Sequence, residues 1–535
     1  MTLEYTSRYG TVMSAASLIP NQQVKRPSAL ASGAAIDWYI AASLLLLHLL
    51  TANRYGYFGD ELYHMACGEH LAWGYVDQPP LIAVFAWLTR HLFGTSVFAV
   101  RVFPAVAGFV LVWLTGLLTR ELGGGRFAQA LAALCTACAG IYLILHHLFT
   151  MNAFEPLFWM GCALVLIRII KTGNQKLWLW FGLLAGIGLE NKYSMAVFGF
   201  AFVVGLLLSE ERKALAHKWI WIAGLVAFFI FLPNLIWNFQ HHWPFLELMR
   251  NIRASGRDIP FTPHGYLRAQ IILMTPVTFP VWLLGALYFF LWEGARPFRI
   301  LGWTFVGVLA TFVVLHGKDY YAAPVYPMIF SGGAIVIEQF SAAKWMGWLK
   351  PAVVTLILLG TLPLLPLVVP VLSPDNFLRY QAKLPFKVQP DEKSMLTEPM
   401  PHYYSWSFGW KEMVLAVAKA YESVPAEERA DTAIFGNDFG AAGAIDLIGP
   451  KYGLPKAISG HQNYWFWGPR NYSGQTIILV GGTPESARRW FDEVTVVAEL
   501  RNPYAAPWER WVLLCRKPKL FRSLVEAWPK LKNWD

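Results

Sequence analysis

Along the first 372 residues, apolar runs of about 17–25 residues alternate with short polar breaks, each run long enough to cross a hydrocarbon core of roughly 30 Å. Eleven transmembrane helices are predicted, near residues 36–51, 97–119, 127–146, 152–170, 176–190, 193–209, 218–239, 268–292, 298–315, 322–339 and 349–372. The division between the fifth and sixth rests on the polar triplet Glu190, Asn191 and Lys192, and merging those two spans would reverse every later segment.

After residue 372 the pattern changes. TAIFGND, TIILVGG, EVTVVAEL and WVLLCRK alternate as strands, while KEMVLAVAKAYESV and PESARRWFDEV carry helical periodicity. GNDFGAAGAI reads as a tight strand-to-helix turn, because its glycines lack the spacing of a dinucleotide site. The expected organisation is a polar cytoplasmic tail (1–35), a mostly α polytopic membrane domain (36–372) with a long first outer loop (52–96), and an extracytoplasmic α/β domain (373–535). The tail lacks the apolar core of a signal peptide, so the first span is expected to stay as an anchor.

Only 15% of residues are charged, against about 25% in soluble proteins, which fits a membrane solvent. The net charge of +10 needs no nucleic-acid partner, since Lys and Arg collect at cytoplasmic loops. With the N-terminus inside, fifteen basic residues, among them Arg120, Arg168 and Lys171, fall on cytoplasmic segments and seven, among them Arg257 and Lys318, on outer ones. The cytoplasmic loops are short connectors, so chemistry is expected on the outer face. Cys135 and Cys138 sit in an apolar run without other metal ligands and read as small packing residues.

The outer segments carry the candidate chemistry. Asp60 and Glu61 follow the first span in an aromatic setting, where partial dehydration would raise a carboxyl pKa and suit it to act as a base. Asp77 precedes Gln78 and two prolines that impose an extended approach to the next helix, and an acid there could bind a divalent cation or an acceptor group. Arg101 lies near the outer end of the second span, where a guanidinium calls for an anionic partner such as phosphate. Lys318, Asp319, Tyr320 and Tyr321 make a candidate anion clamp. The pairs His146–His147 and His241–His242 close two helices but show no metal-site spacing such as HExxH. Glu155, Glu190 and Lys192 are charges at depth, which line cavities or pair with one another.

Taken together, these residues resemble the protein O-mannosyltransferase and aminoarabinose transferase superfamily of GT-C glycosyltransferases, and the bacterial members of glycosyltransferase family 39 above all. Asp60-Glu61 after the first span, DQPPL at 77–81, RVFPAVAG from Arg101, KDYYAAP at 318–324 and GAIDLIGPKYGLPKAISGHQNYWFWGP in the tail carry the resemblance, which covers essentially the whole chain. It implies a GT-C fold and an inverting transfer from a polyprenyl-phosphate sugar at the outer face of the bacterial inner membrane. Asp60 would be the base and Glu61 would orient the acceptor. Arg101 and Lys318, with Tyr320 and Tyr321, would hold the donor phosphate. Asp77, Gln78, His146, His147, Glu155 and Lys192 would line the acceptor site or cavity. Relatives carry histidine or lysine where this chain has Gln78, so that position's ligand is not carried over. The acceptor could be a lipid, glycan or protein. The competing class is a transporter or flippase for a polyprenyl-linked sugar, which would need the groove and the cations but not the base.

Overall fold

The structure, a computed structural model, describes residues 33–535 except Lys387, Gln389, Asp391 and residues 508–510. Most of the tail expected over residues 1–35 therefore lies outside the described residues. Each apolar run folds as helix. In chain order these are α1 (Gly33–Thr51), two helices of the first loop, α2 (Gly59–Cys67) and α3 (Leu81–Leu92), then α4 (Val97–Glu121), α5 (Arg126–Cys138), α6 (Gly140–Leu145), α7 (Met151–Thr172), α8 (Trp178–Asn191), α9 (Met195–Leu208), α10 (Lys218–Gln240), α11 (Pro244–Ser255), α12 (Pro263–Leu273), α13 (Phe279–Leu291), α14 (Arg299–Leu315), α15 (Tyr326–Phe340) and α16 (Leu349–Thr361). By length and apolarity, six elements qualify as membrane spans among the described residues, and the bent pair α12–α13 makes a seventh. Others, such as α5 and α9, are apolar but shorter.

The separation at residues 190–193 holds: Lys192 is extended (φ −160°, ψ 139°) and ends α8, and α9 starts at Met195. Two expected spans are broken instead. The run at 268–292 bends by 93° between α12 and α13, where Thr275 takes φ +65° just before Pro276, which has no amide hydrogen to continue a helix. The run at 127–146 breaks at Ala139, which is extended. Both breaks meet at one side chain. Thr275 Oγ1 accepts from Gly140 N at 2.9 Å and donates to Cys138 O at 2.9 Å. Broken backbone at membrane depth needs such internal partners, because lipid offers none.

Charges separate to two ends of the bundle. At one, Lys171 and Arg168 hold Glu121, and Glu338 accepts from Phe127 N. At the other, Arg101, His147, Lys192 and Lys318 gather around the first loop. Helices pack through glycine. A Cβ on Gly333 of α15 would sit 1.8 Å from Val281 O of α13, and one on Gly285 of α13 would sit 1.9 Å from Ile329 O of α15. Outward-facing apolar side chains such as Phe229 of α10, 63% exposed, are satisfied by lipid rather than water.

The C-terminal unit holds a four-stranded sheet in the order β1-β2-β4-β3, from β1 (Ala433–Gly436), β2 (Thr476–Val480), β3 (Phe491–Glu499) and β4 (Trp511–Pro518). β1 and β2 are parallel, and β4 runs antiparallel to both β2 and β3. The turn after β1 is as the glycine spacing implied: Asp438 accepts from Ala441 N at 2.8 Å and starts the Phe439–Ile448 helix. The helix expected over PESARRWFDEV stops at Ala487, because Phe491 already pairs with Pro518 as β3 and is buried against Phe521. All five cysteines are free and buried.

Replacing Gly333 with Val should separate α13 from α15. We expect a loss of stability of about 1–3 kcal/mol or more, typical of overpacking, read as a lower thermal midpoint and reduced monodisperse yield in detergent.

Candidate functional site

The first loop turns back on the bundle at Tyr55, a non-glycine residue at φ +61° whose ring packs edge-on against Tyr404 at 5.1 Å. α2 then starts at Gly59, where a Cβ would lie 2.5 Å from the Trp406 ring, so only glycine lets that indole cover the helix start. The two acids of the first turn point differently. Glu61 reaches back to accept from Phe58 N at 2.9 Å and also accepts from Phe149 N at 3.0 Å. It faces Arg101, which donates from Nε and Nη2 to its two oxygens at 3.0 and 3.1 Å. Arg101 also donates to the carbonyls of Ala52 (3.0 Å), Arg54 (3.1 Å) and Gly56 (2.7 Å), and lies 3.2 Å from His147 Nε2.

This geometry revises two expectations. Arg101 is 2% exposed and Glu61 0%. Every donor of the guanidinium has a protein partner, which leaves none for a donor phosphate, and both oxygens of Glu61 are engaged away from any acceptor. The pair instead staples the loop to α4.

Asp60 is partly exposed and lies in the first turn of α2. His64, His402 and Lys318 all lie close enough for their charges to act on its carboxylate. Enclosure raises its pKa above the ordinary carboxylate range, against the pull of those three groups. His64 follows four residues later, on the same helical face, and its Nδ1 is 3.0 Å from Phe149 O. Asp77 is the second acid of this wall. Its Oδ1 accepts from Tyr63 Oη at 2.9 Å, and desolvation pushes its carboxyl up to about 6. Among the described residues no three His, Cys, Asp or Glu converge to hold a metal ion.

The opposite wall is the turn Asp319–Val325. Gln270 Nε2 donates to Asp319 O at 2.9 Å, and Tyr142 Oη to Ala323 O at 2.6 Å. Its two tyrosines face Lys192, whose ammonium lies 4.3 Å from the Tyr321 ring centroid and 5.6 Å from that of Tyr320. Lys192 also donates to Asn152 Oδ1 at 2.6 Å and Glu155 Oε2 at 3.1 Å, and Ser194 bonds the same carboxylate. Lys318 bonds Glu392 at 3.1 Å, and Arg257 approaches that carboxylate at 3.5 Å. His402 holds Glu398 at 2.9 Å and stacks on Trp406 at 5.2 Å.

Other expected site residues lie elsewhere. Gln78 is wholly buried with its amide toward Cys67, and His146 is buried against Gly108 and Tyr142. His241, read in the sequence only as one of a pair closing a helix, stacks on Trp237 at 4.1 Å. His64 is a site residue the sequence reading passed over, although its four-residue spacing from Asp60 signalled it. Arg257, Glu392 and His402 carried no local signal.

The C-terminal unit completes the frame. Gly443 lets its helix touch the Leu62 backbone, Phe439 packs at a tilt against Tyr63 with ring centroids 4.7 Å apart, Trp410 Nε1 donates to Tyr57 O at 2.9 Å, and Asn463 Oδ1 accepts from Val76 N at 2.8 Å.

With this geometry in place, the fold can be compared. ArnT from Cupriavidus metallidurans superposes with a TM-score of 0.60 in the apo state and 0.57 bound to undecaprenyl phosphate, over 89% of this chain and 97% of that one, at 13% and 15% identity. The chain shares the fold of ArnT. The family model for dolichyl-phosphate-mannose-protein mannosyltransferases matches residues 77–237. The lipopolysaccharide core galacturonosyltransferase RgtA of Rhizobium johnstonii is 26% identical over 184 residues, which are 33% of this chain and 36% of that relative. The match thus spans about a third of the relative's length. The chain is a multi-pass membrane protein.

Two outcomes follow. Arg101→Ala strands Glu61 as a buried charge and should destabilise the protein by about 3–5 kcal/mol in a detergent thermal melt. The double variant Arg101→Met/Glu61→Gln should cost clearly less than the sum of the two single changes. Asp77 gives a pH signature. Its folded pKa of about 6 exceeds the ordinary 3.8, so the neutral form is favoured by folding, and that stability is present below 3.8 and lost as pH rises towards 6. Asp77→Asn should therefore raise the thermal midpoint at about pH 7.5 and leave it unchanged below about pH 4.

Proposed function

We propose that this protein is an inverting glycosyltransferase that moves a sugar from a polyprenyl-phosphate donor to an acceptor at the outer face of a bacterial inner membrane. Asp60 is the base. The observation that carries this reading is the divided fate of the two adjacent acids: Glu61 is locked by Arg101, while Asp60 is held free of that pair among Lys318, His64 and His402. An enclosed carboxylate with a raised pKa is a stronger base than a solvated one. The fold shared with ArnT, which was solved bound to undecaprenyl phosphate, supports the donor class.

In this mechanism Asp60 takes the proton of the acceptor hydroxyl. The oxygen forms its bond to the anomeric carbon as the bond from that carbon to the phosphate oxygen breaks, and configuration inverts. The electron pair leaves with the polyprenyl phosphate. Lys318, with Arg257 beside it, stabilises the charge that develops there, and Lys192 with Tyr320 and Tyr321 forms the neighbouring cationic wall. Asp77 and Tyr63 present polar atoms for the acceptor. The C-terminal unit lies on the same outer side and braces α2. The comparisons lend the transporter reading no support.

Asp60→Asn should lower transfer by about 10²–10⁴-fold, the usual weight of a general base, while undecaprenyl phosphate binding to the purified chain stays within about twofold. Transfer is read by mass spectrometry of envelope glycolipids from cells carrying either form, as loss of one sugar-sized increment. A variant that glycosylates at the wild-type rate would rule out Asp60 as the base.

A further inference from the structure

Glu392 is an acid beside the proposed site whose place the reaction above does not explain. It is not carried by the bundle. It lies between the membrane part and the sheet, where its backbone forms an isolated antiparallel bridge with Asp258 and its neighbour Lys393 donates from N to Arg257 O at 3.0 Å. Lys393 Nζ also holds Gly256 O at 2.5 Å. The segment carrying Glu392 is therefore fastened by its backbone to the loop that carries Arg257, leaving the side chain to choose its own partners.

Those partners are the cations a phosphate would need. The Glu392 carboxylate bonds Lys318 Nζ at 3.1 Å and approaches Arg257 Nη2 at 3.5 Å through the same oxygen. Burial raises its carboxyl pKa, and Lys318, Arg257 and His402 together outweigh that and hold it below the usual range. Lys318 and His402 also act on Asp60, so the carboxylate sits beside the reacting position. A carboxylate in a lysine–arginine fork is chemically close to a phosphate ester there, since both present anionic oxygens to the same donors.

We propose that Glu392 is a built-in stand-in for the donor's phosphate: it occupies the Lys318–Arg257 seat when no donor is bound and swings out when a phosphate ester enters. The ligand class is a lipid-linked phosphate ester, and the inference rests on Lys318 being a phosphate ligand in the proposed reaction. An internal anion keeps the two cations paired when the site is empty. It also competes for the seat after transfer, which helps expel the polyprenyl phosphate product. The side chain is 12% exposed and its segment is anchored by backbone bonds, so displacement needs only a rotamer change.

The test titrates undecaprenyl phosphate into the purified full-length chain in detergent. Removing a competitor raises apparent affinity by the inverse of the fraction of sites already open, so Glu392→Gln should tighten Kd by about 5–10-fold. Lys318→Gln should weaken it by at least about tenfold, as loss of a phosphate contact. In the double variant the tightening should vanish. Equal or weaker binding by Glu392→Gln, with Lys318→Gln still weakened, overturns the stand-in and leaves the donor reading intact. Unchanged binding by Lys318→Gln overturns the donor-phosphate reading and the stand-in with it. A second measurement needs no variant: a carbodiimide should couple Glu392 to Lys318 in the wild-type chain, detected as a crosslinked peptide by mass spectrometry, and saturating undecaprenyl phosphate should suppress it. A crosslink that persists undiminished at saturation also overturns the proposal.

Discussion

The candidate site depends on one buried ion pair. Glu61 and Arg101 come from a loop helix and from a membrane helix, 40 positions apart in sequence, and meet with both carboxylate oxygens and every guanidinium donor engaged. Neighbouring residues on a helix point about 100° apart. Once Glu61 is fixed towards α4, Asp60 is turned away from that pair, among His64, His402 and Lys318. Burying two charges costs several kcal/mol in desolvation, and hydrogen bonds to three carbonyls and two amides offset it. The pair's main product is orientation: any other direction of α2 would leave a bare charge in a dry site.

The second constraint comes from the C-terminal unit, which shares a hydrophobic core with the loop it covers. Phe58, Leu62, Tyr63 and Tyr75 of the loop pack with Trp406, Val414, Ile445 and Tyr464. Outside that core, Lys456 holds Glu69 at 2.5 Å, and Arg90 bonds the same carboxylate from α3. α2 is thus gripped from beneath by an ion pair and from above by aromatic rings. An acid on a loop would ordinarily wander; here the loop is packed between the helix bundle and the C-terminal unit.

How much of this was legible follows from range. Helices were legible because lipid imposes long apolar runs. The breaks at Ala139 and Thr275 were not, because each is tolerated only through hydrogen bonds supplied by the other. Arg101 shows the limit most clearly. Its burial demanded an anion, and the sequence could not say that the anion was the chain's own Glu61 rather than a ligand. His64 was readable from its spacing, whereas Glu392 reaches Lys318 across 74 residues and its own sequence neighbourhood carries no pattern.

The same question of whose anion meets which cation separates the two lysines of the opposite wall. Lys192 is paired to Glu155, which belongs to the rigid α7, is 3% exposed and is also bonded to Ser194. That carboxylate cannot leave without stranding a charge inside a helix bundle, so Lys192 keeps its partner and contributes a fixed field, shielded by Tyr320 and Tyr321. Lys318 faces a carboxylate on a surface segment, with more solvent on both partners. Exchange of one anion for another there needs no break in the bundle. The wall therefore divides its work: one lysine sets a permanent potential, and the other has a partner that can be replaced. That asymmetry arises from where each glutamate is anchored, not from the lysines themselves.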